Sequence, residues 1–570
     1  MKNTKDKVNL VKDSFSEAEI IKYNSNYLRG TIKKDLENTL TNGFTGDNYS
    51  LIRFHGMYQQ DDRDLRKERI EQKLEPRHAM MLRCRIPGGI VKPNQWLEID
   101  RFSNKNTLYK TIRLTNRQTF QFHGIFKKNL KKVHQMLEKI GLDSFATAND
   151  VNRNVICSSD LMASKLHKST YEWARKISEY FLPKTNAYAE IWLDKKKIVL
   201  NEKEPILGKT YLPRKFKIAI AIPPNNDVDV HANDIALIAI SKEEKLIGFN
   251  VLVGGGLSIE HNNTLTWPSL ATEFGFIDLP NILKVLEAIV TVQRDWGNRY
   301  DRKNAKTRYT LKKFGKTKFI NEVELRSETK FQTIYPYVFN NRGDKFGWSK
   351  GINGKWSFTL YIENGRLIED YRKIKSGLYK IALIHDGDFR ITANQNIIIY
   401  NISIDKKEDI EKIISRHMVI DNVTELQKTS MACVSFPTCP LAMAEAERIL
   451  TPFVKEIDKI MEKYNLMDES IILRITGCPN GCARSLLSEI GLIGKSLNKY
   501  NLYMGGNKTG TRIPRLYGEN YSLSKIIEII RPMIKRWSLE KFSKECFGDF
   551  IVRVKIIESV SNFPNNFWKK

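Results

Sequence analysis

"ITGCPNGCARS" occupies residues 475–485 and places two thiols, Cys478 and Cys482, with a proline and two glycines in one tight loop. The chain has only seven cysteines, and two more stand upstream in "CVSFPTC" at 433–439. Together they read C-x5-C followed by C-x3-C. Zinc knuckles use C-x2–4-C on both sides, so the first gap is too wide for one. An iron–sulfur cluster is a larger body and accepts wider, unequal spacings. Structural zinc and four buried free thiols stay open at this point. Turn residues in "FPTCP" and "GCPNG" aim backbone N–H groups at bound sulfur. Pro440 followed by "LAMAEAERIL" reads as a helix with proline in its first turn, its positive end beside an anionic cluster. Cys84, Cys157 and Cys546 stand alone and read as small buried hydrophobes.

Around this region the chain is long and basic. Its 570 residues suggest three or four domains, and 41% hydrophobic content suits a real core. No apolar run approaches the length of a membrane span, and "MKNTKDKVNL" lacks the apolar segment of a secretion signal. A cytoplasmic location is expected, where seven cysteines do not form structural disulfides. The net charge of +28 calls for an anionic partner, although a lysine drift across the whole composition also raises it. A basic nucleic-acid-binding protein with a colourless structural metal is the reading from another class, and it predicts salt-sensitive binding.

Residues 1–80 read as an irregular charged arm with one short helix. "TIRLTNRQTFQFHGI" (111–125) alternates as one half-buried strand, and the basic run 294–319 reads as a long connection. Two pairs of segments then repeat in the same order. "IRLTNRQTFQFHGI" (112–125) resembles "FRITANQNIIIYNI" (389–402), and "GFNVLVGGGLS" (248–258) resembles "KYNLYMGGNKTG" (499–510). The expected fold is α+β, with three domains and an internal pseudo-twofold duplication. Such a duplication places a ligand at the seam between halves. The expected pieces are 81–145 with 347–420 as two halves of a central domain, 146–346, and a cysteine-bearing 421–570. Asn394 and Gln395 stand where the first copy has basic positions, so the second copy reads as degenerate.

"ACVSFPTCPLAMAEAER" with "TGCPNGC" resembles the cluster-and-siroheme signature of the sulfite and nitrite reductase family. The likeness extends through "NYLRGTI", "FHGMYQQDDRD", "EPRHAMMLRCRIPGG", "TANDVNRNV", "YLPRKFKI" and "DRKNAKTRYTL", nearly the whole chain. One departure is Ala483, where the family has glycine; a small adjustment is expected. The resemblance implies a 4Fe–4S cluster on Cys433, Cys439, Cys478 and Cys482, with Cys482 also the axial ligand of the siroheme iron. It implies Arg83, Arg153, Lys215 and Lys217 as the substrate residues for six-electron reduction of sulfite to sulfide. A small dianion in a pocket needs such cations, and lysine can deliver protons. The spacing of Lys215 and Lys217 puts both on one face of a strand. Siroheme is rich in carboxylates, and Arg113, Arg117, Lys306 and Arg308 are candidates to meet them. Thr115, Asn116, Gln121 and His123 are candidates for hydrogen bonds to the macrocycle, and Asn480 for a bond to a cluster sulfur. No G-x-G-x-x-G opens a dinucleotide fold, so the resemblance implies an NADPH-dependent flavoprotein partner carrying FAD and FMN. The N-terminal arm is a candidate docking element, ferredoxin an alternative donor, and neither nucleic acid nor membrane is expected as a partner.

Overall fold

The computed structural model describes residues 15–159, 164–187, 204–418, 423–560 and 566–568. Twenty strands form four five-stranded sheets among the described residues. In the first half these are β1 (Met57–Gln60), β2 (Ala79–Arg83), β3 (Ile90–Val91), β4 (Ile112–Leu114) and β5 (Phe120–Ile125). They are followed by β6 (Ile156–Cys157), β7 (Ile218–Ala221), β8 (Ile235–Lys242), β9 (Lys245–Val253) and β10 (Thr272–Asp278). The second half repeats the series: β11 (Gly347–Lys350), β12 (Trp356–Leu360), β13 (Arg366–Leu367), β14 (Asp388–Ile391) and β15 (Ile397–Ile402). It closes with β16 (Met431–Ala432), β17 (Leu473–Thr476), β18 (Ile490–Ser496), β19 (Lys499–Met504) and β20 (Arg515–Tyr521).

Two sheets are wholly antiparallel, in the orders β1-β2-β5-β4-β13 and β11-β12-β15-β14-β3. Each takes its last strand from the other half, so β3 and β13 are exchanged. Reciprocal exchange locks the two copies around a pseudo-twofold. The other two sheets also match. In β6-β7-β8-β9-β10 and in β16-β17-β18-β19-β20 the first two pairings are parallel and the last two antiparallel. The apolar runs "IAIA" in β7 and "IALIAI" in β8 are buried throughout, as parallel strands covered on both faces should be. Helix Ile282–Trp296 packs Val285, Leu286, Ile289 and Val292 inward beside the first mixed sheet. Helix Leu523–Glu540 serves the second mixed sheet, burying Ile526, Ile530, Ile534 and Trp537.

Several expectations change. Residues 111–125 are a hairpin, β4 and β5, and every residue of both strands is buried. One face meets the core and the other the site described below, so the solvent face of a half-buried strand is missing. The segment before residue 81 is no loose arm: it holds helices Glu17–Asn24, Ile32–Glu37 and Arg66–Glu71, and β1 joins a sheet through β2. Leu51, Ile52 and Phe54 are buried in the main core, which the charged run beyond them had masked. The first residues, 1–14, lie outside the described ones. The basic run 294–319 is largely helical, within Ile282–Trp296, Thr307–Phe314 and Lys316–Ser327. Gln395 aligns with Gln118 and not with an arginine. Both sit at positive φ, +71° and +52°, in equivalent hairpin turns. No helix among the described residues is long and apolar enough to cross a membrane.

Candidate active site

β16 and β17 run parallel with Ala432 opposite Ile475, so their ends deliver Cys433 and Cys478 side by side. Gly477 closes the junction. Its N–H donates to Cys433 Sγ at 3.3 Å, and its carbonyl accepts from Met443 N at 2.8 Å and Ala444 N at 3.1 Å. A Cβ here would lie 2.1 Å from Ser435 Oγ and 2.6 Å from Ala444 O, so only glycine fits. Asn480 Nδ2 donates to Cys478 Sγ at 3.6 Å. Residues 440–446 are turns, and the helix starts at Glu447. Pro440 is therefore not in a helical first turn, and no dipole starts beside Cys439. The two bonds to Gly477 O hold Met443 and Ala444 against the loop, and Glu447 opens the helix by binding Arg113 at 3.1 Å and Arg366 at 2.7 Å. Ala483 is fully buried without strain: the left-handed residues of the loop are Gly481 (φ +67°) and Arg484 (φ +60°).

The thiols fit a multi-iron cluster. Burial, then the charge of Cys482, with Cys478 and Cys439 adding to it, pushes the Cys433 thiol well up. Burial, Cys482 and Cys478 push Cys439 to about 12, and burial with Cys482 raises Cys478. Four mutually repelling thiolates need bound cationic charge to coexist. No three or more His, Cys, Asp or Glu among the described residues converge on a single ion.

A cavity of about 190 Å³ opens beside this loop, lined by Cys433 and Cys482 together with Arg83, Arg153, Lys215 and Lys217. Arg83 ends β2, Arg153 precedes β6, and both lysines lead into β7. Arg83 Nη1 and Arg153 Nη1 donate to the same Thr147 carbonyl, at 3.2 and 3.1 Å, which sets the two guanidiniums side by side. Burial, then Arg214, lowers Lys215 to about 8; burial, then Lys215, takes Lys217 well below its ordinary value. A pocket that disfavours the charged form of its own lysines is short of negative charge.

Arg113, Thr115, Asn116, Arg117 and Gln121 line the same cavity. Asn116 Nδ2 donates to Cys482 O at 2.5 Å. Arg117 spends its fork inside the protein, on Asn233 Oδ1 at 2.6 Å, Ile218 O at 3.0 Å and Asn154 O. Lys306 and Asn480 line a smaller adjoining pocket. Lys306 is held by Asp234 at 2.8 Å. Arg308 donates to Ser258 O at 2.6 Å and Tyr309 Oη at 2.9 Å, and lines a separate cleft. His123 is buried behind Gln121. The sequence reading missed Tyr58, which lines the cavity with the Arg83 guanidinium 5.7 Å from its ring centre. Burial raises the Tyr58 phenol, and Arg153, Arg83 and Arg53 outweigh that and lower it. Its motif "FHGMYQQ" was visible but had been assigned to the arm. Also missed was Arg63, which braces the cysteine loop by donating to Ala442 O at 2.7 Å and stacking on Phe436 at 4.3 Å.

The nitrite and sulphite reductase 4Fe-4S domain matches residues 172–331, and the nitrite/sulfite reductase ferredoxin-like half domain matches 72–140 and 350–417. The first match falls on the copy without the four cysteines, as duplication requires. The chain is 62% identical to the sulfite reductase [NADPH] hemoprotein beta-component of Buchnera aphidicola subsp. Acyrthosiphon pisum (strain Tuc7), covering 99% of this chain and 100% of that one. It is 58% identical to the protein of the same name in Klebsiella pneumoniae subsp. pneumoniae, covering 98% of each. The solved structure of the Mycobacterium tuberculosis NirA protein shares the fold at a TM-score of 0.74 and 22% identity, over 93% of this chain and 96% of that one. By its matching half domains, and by full-length relatives at that identity, the chain belongs to the nitrite and sulfite reductase family, whose members carry siroheme and a 4Fe–4S cluster.

Proposed function

We propose that this chain is the hemoprotein component of an assimilatory sulfite reductase, reducing sulfite to sulfide in the cytoplasm for cysteine biosynthesis, with electrons from an NADPH-dependent flavoprotein. The observation that carries this reading is one cavity lined by Cys433 and Cys482 and by Arg83, Arg153, Lys215 and Lys217. The four cysteines would hold the cluster, with Cys482 also facing the siroheme. Arg113, Thr115, Asn116 and Arg117 line the wall that would receive the macrocycle, with Lys306 and Asn480 beside it. Gln121, backed by His123, lies beside Arg83 in the same cavity, and Arg308 faces a separate cleft. When bound, the two groups would relay the partner's electrons and offer an iron centre for the substrate.

The protein's own residues do the rest. The paired guanidiniums bind and orient an oxyanion by their planar forks. The lysines compensate its second charge, and with depressed pKa values they release protons readily at neutral pH. Each S–O cleavage consumes protons as water leaves, so donors must sit within the cavity. Purified chain with reduced methyl viologen is expected to process sulfite with a higher kcat/KM than nitrite. A clear preference for nitrite would overturn the substrate assignment.

The lysines also set a pH dependence. Lys215 titrates at about 8, and its cationic form, which attracts the anion, is populated below that value. Sulfite affinity is therefore expected to fall as pH rises through 8. In Lys215→Arg, whose charge persists, the fall should move up by at least about one pH unit. An identical pH profile in the variant would remove Lys215 from this role.

A further inference from the structure

We infer that Gln121 and His123 are positioning residues that hold the Arg83 guanidinium at the cavity, through a hydrogen-bond chain starting on the loop between Cys433 and Cys439. The inference deepens the proposed function and rests on it. Gln121 on β5 is the register partner of Arg83 on β2. With its amide oriented to satisfy both neighbours, Gln121 Oε1 accepts from Arg83 Nε at 2.8 Å and Nη2 at 2.6 Å, while Nε2 donates to His123 Nε2 at 3.3 Å. His123 Nδ1 lies 3.2 Å from Gln60 Oε1 and 3.4 Å from Thr438 Oγ1.

The Gln60 contact sets the direction of the bonds that run from His123 to Arg83, with Thr438 Oγ1 sharing the Nδ1 hydrogen. A glutamine oxygen only accepts, so His123 Nδ1 carries the hydrogen. His123 Nε2 then has a lone pair and requires a donor. Gln121 must present its amide nitrogen there, which turns its oxygen onto Arg83. The imidazole stays neutral, because burial and then Arg366, Arg113 and Arg83 hold its pKa far below the ordinary value. Remove the Gln121 oxygen and, among the described residues, Arg83 keeps one hydrogen bond, from Nη1 to Thr147 O at 3.2 Å, and a distant ring face. Thr438 immediately precedes Cys439, so the chain links the cysteine loop to the substrate arginine.

The duplicated half supplies an independent argument. Gln121 is the second residue of β5, and Ile398 is the second residue of β15. Ile398 pairs with Thr359 on β12, just as Gln121 pairs with Arg83. Where the arginine is absent, its holder is absent too, and His123 is replaced by Tyr400.

The test is sulfite titration of the holoenzyme, followed through the visible absorption of its bound heme. Gln121→Leu is expected to weaken sulfite binding by about tenfold or more, the usual effect of removing a hydrogen bond to a charged group. Gln121→Glu, which keeps an acceptor for Arg83, should stay within about threefold of the parent. In both, the heme bands without sulfite should be unchanged. A parent-like Kd in Gln121→Leu, or equal weakening in Gln121→Glu, overturns the inference. Loss of the heme bands in Gln121→Leu alone would also overturn it, because Gln121 would then hold the cofactor. Absence of heme bands from the parent chain would refute the proposed function instead.

Discussion

Cys482→Ser is expected to lower sulfide production by at least about 100-fold, more than the usual loss when a residue behind a metal ligand is changed. Of the four cysteines in the loop region, Cys482 is the exposed one, and it opens onto the cationic cavity. Its carbonyl is pinned by Asn116, so the loop stays in place when the sulfur is exchanged. Serine offers a hard alkoxide where a soft thiolate is needed, and its hydroxyl does not ionise readily. Methyl-viologen-driven sulfide release measures the effect, and the visible spectrum shows whether both groups remain bound. Cys546→Ser is the control: that thiol is buried away from the cavity, bonded to Asp549 at 2.9 Å, and should leave the rate nearly unchanged. Equal rates in both variants would remove Cys482 from the site.

The second large effect is expected at Asp229. Its carboxylate is fully buried and takes three guanidiniums: Arg342 at 2.5 Å, Arg474 at 2.7 Å and Arg484 at 2.9 Å. Burial alone would raise this carboxyl, but Arg342, Arg474 and Arg484 pull it well below the usual range. Asp229→Asn leaves three buried cations around a neutral amide, and breaking such a pairing costs about 3–5 kcal/mol. The sign with pH follows from the depressed carboxyl. The stabilisation is fully present above the unfolded value of about 4 and is lost as pH falls toward the folded one. Arg484 stands two residues after Cys482, so loosening the hub should release the cluster loop first. Heating Asp229→Asn should bleach the visible bands at a temperature where the parent retains them. Matching bleaching and unfolding curves would show that the hub does not support the loop.

Much of this site was legible in the sequence because its chemistry is concentrated in unusual residues. Four of seven cysteines in two short turns, and lysines at 215 and 217, stand out without a structure. The duplication was legible where strands are long, as in β9 and β19. The exchange of β3 and β13 was not, because two-residue strands carry no periodicity. The helix expected after Pro440 failed for a tertiary reason: residues 443 and 444 bond to Gly477 instead of continuing into the helix. Lys306 looked like a free cation because its partner, Asp234, is 72 residues away. Nothing in "NNDVDVHAND" distinguishes Asp229 from its neighbours, and its importance appears only when three arginines from distant segments meet it.

The central claim is that one thiolate serves two metal groups, and Mössbauer spectroscopy of the isotope-enriched holoenzyme tests it most directly. The account predicts that the heme iron and the cluster irons share one magnetic signature, and that Cys482→Ser abolishes the sharing. Two independent signatures in the unaltered protein would contradict it.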